Sequence, residues 1–178
     1  MKQIATPFEG LFLFEPTVNA DARGYFIESF RASFFEDLGL KFIQDNEARS
    51  TYGVIRGLHY QEPPYAQTKL LRVLEGRILD VAIDLRTSSN TFGHAYAVEL
   101  SADNKFQLLV PKGFAHGYAV LSDTATVFYK VDDYYNASAD RGVHYDDFEV
   151  DWQIPMGDRI LSEKDLHQPR FAELNSPF

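Results

Sequence analysis

Turn signals recur along this chain at about the interval that a short β-strand needs, and that rhythm limits the possible folds more than any other feature. Gly, Pro, Asn and Asp interrupt apolar runs roughly every eight to twelve residues. "LFLFEP" reads as a first strand ended by Pro16, and "GYFIESF" alternates as a second. "RASFFEDLGL" reads as a short helix, with Phe34, Phe35 and Leu38 on one face and Gly39 as its stop. "KFIQDNEARS" is a strand with a polar second half. "KLLRVLEGRILDVAIDLR" holds two apolar runs around Glu75 and Gly76, which is a hairpin signal. "HAYAVELS" and "FQLLVPKG" follow, and "FAHGYAVLSD" with "ATVFYKVDDYY" makes another pair. The tail after Val150 is mostly irregular. The pattern predicts an all-β antiparallel sandwich or small barrel with a few short helices. No linker, repeat or low-complexity tract interrupts residues 1–178, which are expected to form one domain.

Composition excludes several functions. Seventeen Lys and Arg against 26 Asp and Glu give a net charge of −9, which disfavours binding to a phosphate backbone. One anionic ligand in a cleft needs only two or three local cations. There is no Cys, so disulfides and thiol catalysis are excluded, and a metal site would need His and carboxylates. No stretch approaches the ~20 apolar residues of a membrane-spanning helix. The N-terminus lacks a secretory pattern, so a cytoplasmic location is expected.

Within that frame a few strand residues resist a purely structural reading. "GVIRGLHYQ" puts Arg56 and His59 in one apolar strand, where strict alternation sends them to opposite faces. Burying Arg56 alone is costly. Gly57 between them marks a possible bulge, which would bring both side chains to one face. His116 sits in Pro111-x-Gly113-x-x-His116, which is similar to the second half-motif of the cupin barrels. Gly53, five residues, then His59 is similar to the start of the first half-motif. Gln61 stands where that motif carries a second His, and Val120 where the second half-motif carries Asn. The metal-ligand set is therefore broken, and no metal is expected. Lys69, Tyr129 and Asp165 would ordinarily be an edge lysine, a core tyrosine and a helix cap. Taken with His59 and Arg56, they make a set suited to removing a proton beside a carbonyl and returning one from the other face. No serine lies in a nucleophile elbow, and no phosphate-binding glycine loop is present.

Seven segments in order, "DARGYFIESF", "FIQDNEARSTYGVIRGLHYQ", "KLLRVLEGRILDVAIDLR", "SNTFGHAYAVELS", "LLVPKGFAHGYAVLSD", "YKVDDYY" and "ILSEKD", carry a wider resemblance. Over nearly its whole length the chain resembles the dTDP-4-dehydrorhamnose 3,5-epimerase family. The resemblance implies a cupin-like jelly-roll barrel, a homodimer with strands crossing between subunits, no cofactor, and a thymidine-diphospho-4-keto-6-deoxy sugar as substrate. It implies that His59 is the base, paired with Asp165, that Lys69 steadies the enolate, and that Tyr129 is the acid. Arg56 and His116 would line the sugar end, and Arg23 would bind pyrophosphate. Phe26, Glu28, Gln44, Asn46 and Tyr135 would hold the thymidine. Ala137 and Asp140 stand where the family commonly has Pro and Glu. Relatives that invert only one carbon or shift the ketone keep most of these residues. A metal-dependent cupin enzyme and a non-catalytic sugar-nucleotide binder are the other readings.

Overall fold

The computed structural model describes residues 1–178. In chain order its strands are β1 (Lys2–Ala5), β2 (Phe12–Glu15), β3 (Val18–Asp21), β4 (Gly24–Ile27), β5 (Gln44–Thr51), β6 (Ile55–Gln61) and β7 (Lys69–Glu75). They continue as β8 (Arg77–Asp84), β9 (Ala95–Ser101), β10 (Gln107–Val110), β11 (Phe114–Val120), β12 (Thr124–Val131) and β13 (Asp140–Gly142). Two short helices, α1 (Ala32–Glu36) and α2 (Glu163–Leu166), complete it, and neither is long and apolar enough to cross a membrane.

Two antiparallel sheets face each other. One has the order β1-β2-β10-β7-β12-β5 and the other β13-β6-β11-β8-β9. The inner core lies between them, with Leu71 and Val73 of the first sheet against Ile78, Ala82 and Val120 of the second. The outer face of the five-stranded sheet is covered by the tail, whose Tyr145, Trp152 and Ile154 pack on Leu58, Val81 and Ala115. The outer face of the six-stranded sheet carries α1. Phe35 there is fully buried, with its ring 5.5 Å from Phe14 and 5.3 Å from Phe30. Burial of a side chain that size stabilises by about 1.5–3 kcal/mol, which anchors a helix too short to stand alone. Leu38, expected on the same face, is exposed, because the chain already turns through Gly39 and Leu40 N–H bonds back to Phe35 O.

Strand content follows the sequence reading, but strand pairing does not. The apolar runs around Gly76 are not a hairpin: β7 lies between β10 and β12, and β8 between β11 and β9 in the other sheet. The same holds for β11 and β12. A turn signal reports a reversal of direction and says nothing about the partner. Here both runs bury side chains in the same interior, and folding one over the other as two layers satisfies both. From β5 to β13 successive strands alternate between the two large sheets, except for β8 and β9, which are neighbours in one. β1 and β3, each four residues and largely exposed, lack the apolar pattern that would mark them as strands.

Candidate active site

The site begins with one irregularity in β6. Ile55, Leu58 and Tyr60 pack outward into the tail-covered core. The pairing with β11 runs His116 to His59, then Tyr118 to Arg56, so one extra residue of β6 is taken up between them. That is a β-bulge at Gly57, and it turns Arg56 and His59 to the same inner face. Gly57 has φ +127°, and a Cβ there would meet Gly117 Cα at 2.6 Å and His116 O at 2.9 Å. Only glycine fits such a close approach. The expected bulge is therefore present, and with it the shared face.

The tail then crosses the open end of the barrel. Ile160 N–H bonds to Gly53 O (2.9 Å), Ile55 N–H bonds to Ile160 O (2.9 Å), and Val54 bridges Ile160 in parallel. Gly53 permits this contact, since a Cβ on it would strike Asp158 O at 2.2 Å. Ser162 caps α2, its Oγ accepting from Asp165 N–H at 3.1 Å. Asp165 is thereby held 4 % exposed, with Oδ1 2.5 Å from His59 Nε2. Burial pushes its carboxyl up. The His59 hydrogen bond and charge, the Ser162 hydroxyl and the Gly57 N–H outweigh that, so the group stays below the usual carboxylate range. An ionised Asp165 fixes the His59 tautomer and supports a positive charge on the ring.

A second imidazole–carboxylate pair lies beside the first. His116, the cross-strand neighbour of His59, has Nε2 2.9 Å and 3.1 Å from the two oxygens of fully buried Asp80. Lys69 opens β7 in the facing sheet. Burial pushes its ammonium down to about 8, against the attraction of Asp80 and Asp140. Burial likewise raises the Tyr129 phenol, which Arg56 partly offsets. His59, Asp165, Lys69, Tyr129, Arg56 and His116 all line one cavity of about 500 Å³. With Lys164 it gathers three cations in a chain whose net charge is −9, which favours an anionic ligand. Gln61 is committed to the backbone: its amide nitrogen donates to Tyr65 O (2.7 Å) and its oxygen accepts from Asn136 N–H (2.6 Å). No group of three His, Asp or Glu side chains is placed to hold a metal ion.

A second cavity of about 230 Å³ shares His59, Lys69 and Tyr129 with the first and is lined further by Gln44, Asn46 and Tyr135. Nine of the twelve candidate residues thus line these two adjacent cavities. The other three do not. Arg23, Phe26 and Glu28 lie on or beside the β3–β4 hairpin, a two-stranded sheet that pairs with neither large one. Arg23 is ion-paired to Asp21 (2.6 Å) and Glu28 to Arg31 (2.7 Å), while Phe26 is 69 % exposed. Two ionisable residues of the larger cavity are not among the sequence candidates. Lys164, beside Asp165, is ion-paired to Asp140, which also accepts from Tyr135 Oη at 2.9 Å. The Ser-x-x-Asp cap in "LSEKD" was the available signal. Tyr118 lies two residues beyond His116 on an inward face, where strand alternation would have found it.

By fold this is a cupin-like jelly roll, and by its cavity one equipped for acid–base chemistry with side chains. Comparison with known proteins narrows that class. The family profile described as dTDP-4-dehydrorhamnose 3,5-epimerase matches residues 5–173. A protein of that name from Shigella flexneri is 46% identical over 176 residues, covering 97% of each chain. The crystal structure of the one from Elizabethkingia anophelis superposes with a TM-score of 0.93 at 50% identity, covering 98% of both chains. That of a dTDP-6-deoxy-D-glucose-3,5-epimerase from Legionella pneumophila, in complex with dTDP-4-keto-L-rhamnose, gives 0.92 at 42% identity, covering 98% of this chain and 94% of that one. The chain belongs to the dTDP-4-dehydrorhamnose 3,5-epimerase family.

Proposed function

We propose that this protein inverts C3 and C5 of dTDP-4-dehydro-6-deoxy-D-glucose to give dTDP-4-dehydro-L-rhamnose, through enolate intermediates and in the biosynthesis of dTDP-L-rhamnose. The observation that carries this reading is the His59–Asp165 pair on one sheet and tail, with Lys69 and Tyr129 on the facing sheet of the same cavity. The 4-keto group acidifies the hydrogens on both neighbouring carbons. His59, oriented by Asp165, takes one of them as general base. The electron pair moves onto the keto oxygen, where the Lys69 ammonium steadies it. Tyr129 gives a proton to the carbon from the opposite face; His59 then releases its proton to solvent and Tyr129 regains one, and the cycle repeats at the second carbon after the ring shifts. Arg56 and His116 bind the sugar end, and Gln44, Asn46 and Tyr135 the thymidine. Conversion of that substrate by the purified protein, followed by proton NMR of the product, tests the reading; recovery of unchanged sugar would reject it.

Tyr129→Phe is expected to lower product formation about a hundredfold while hydrogen exchange with solvent falls less than tenfold, since it removes the donor and leaves the base. Equal losses in both would make Tyr129 a positioning group. Lys69 is needed as the cation. Its ammonium, held near 8, loses its proton as the pH climbs through that value. The profile of kcat/KM should therefore fall on its alkaline side with an apparent pKa near 8, and Lys69→Arg should move that limb upward. A wild-type profile flat to pH 9.5 would contradict the role.

The β3–β4 hairpin belongs in this reading as part of a homodimer, reaching across to the partner's cavity with Arg23 for pyrophosphate and Phe26 and Glu28 for the base. Its exposure and lack of sheet partners support this. Arg23→Ala alone should raise KM. Mixing Arg23→Ala with His59→Asn protein under exchange conditions should restore activity at low substrate, because half of the mixed dimer's sites regain both residues. No restoration would show that the hairpin serves its own chain.

A further inference from the structure

Arg56 and Lys69 line the cavity without an ion-pair partner, and of the two only Arg56 has a side-chain hydrogen bond that could aim it. Its side chain has a single anchor within the protein: Nε donates to Ser50 Oγ at 2.9 Å. Ser50 is 7 % exposed on β5, in the six-stranded sheet, whereas Arg56 is on β6 in the other. This hydrogen bond therefore spans the two layers. Ser50 does not line the cavity; it stands behind Arg56, and the guanidinium's terminal nitrogens are left for a ligand.

Tyr118 adds a second, independent observation. It is the cross-strand neighbour of Arg56, 6 % exposed, and its hydroxyl is one of only two buried side-chain polar atoms without a hydrogen-bond partner. The other, Trp152 Nε1, lies in the core outside the barrel. Burial raises the Tyr118 phenol, which the Arg56 charge partly offsets. Ser50, having accepted from Arg56, keeps one proton, and Tyr118 Oη is the buried oxygen beside it. Of the two buried hydroxyls near the exposed guanidinium, Ser50 is the one that bonds it. Fixing a flexible side chain before the ligand arrives removes its ordering cost from binding.

From this arrangement we infer that Ser50 is a positioning residue for the epimerase reaction, clamping Arg56 Nε so that its terminal nitrogens face the substrate. The inference rests on the proposed function and concerns how the same site recognises its ligand.

The test is a double-mutant cycle with dTDP-4-dehydro-6-deoxy-D-glucose on wild type, Ser50→Ala, Arg56→Ala and the double variant. Ser50→Ala should raise KM about fivefold with kcat within twofold, because Arg56 is assigned to binding. In the Arg56→Ala background the same change should alter kcat/KM less than twofold. Equal effects in both backgrounds, or a KM unchanged in the Ser50→Ala single variant, overturns the assignment. Thermal unfolding of each variant separates loss of fold from loss of aim, and a single variant whose KM rises only because it unfolds will show the same loss in the double. Wild-type protein that leaves the sugar unchanged overturns the epimerase reading and this inference with it; wild-type turnover with an additive cycle overturns this inference alone.

Discussion

His59→Asn is expected to lower both epimerisation and solvent exchange at the two carbons by about a thousandfold, within the range that general acid–base groups supply. Asn keeps a polar side chain of similar reach, so the bulge at Gly57 and the cavity wall should persist. It cannot accept a proton near neutral pH. The loss should be large because the neighbouring imidazole is poorly placed to substitute: the His116 side chain is only 10% exposed, against 31% for His59. Stopped or quenched assays with the authentic substrate measure this directly. A variant within tenfold of wild type at either carbon would remove His59 from the base role.

Asp165→Asn should cost nearly as much, about a hundredfold to a thousandfold in kcat, for a different reason. The carboxylate is buried, 2.5 Å from His59 Nε2, and held ionised. An amide in its place either presents N–H to that nitrogen, which fixes the wrong tautomer, or presents oxygen without the charge that supports an imidazolium. Substrate affinity should change little, since Asp165 is committed to the histidine. The kcat and KM of the variant decide the matter: a raised KM with kcat preserved would make Asp165 a binding residue and break the proposed dyad.

How much of this could be read in advance depends on whether a residue's role is local. Arg56 and His59 were legible because Gly57, a single residue, both breaks the alternation and is visible in the chain. Strand content was legible because period-two apolar runs are a local property. The pairing of β7 with β10 and β12 was not, because Glu75 and Gly76 mark a reversal whichever sheet receives the next strand. Asp165 lies 106 positions from His59, and only the wrapping of the tail over Gly53 joins them. Nothing in the residues alone encodes that contact; the family resemblance supplied it. Leu38 went astray because a five-residue helix has too few turns to define a face. Arg23, Phe26 and Glu28 show the opposite limit, since motif matching names them while one chain's geometry keeps them away from the cavity.

The measurement that bears most directly on the account is proton NMR of dTDP-4-dehydro-6-deoxy-D-glucose incubated with wild-type protein in heavy water. Both the C3 and the C5 proton signals are expected to disappear, with the L-rhamno product formed and neither signal exchanging in the His59→Asn control. Exchange at C3 alone would reduce the protein to a single epimerase. Retention of both signals after prolonged incubation with active-site concentrations of enzyme would contradict the account altogether.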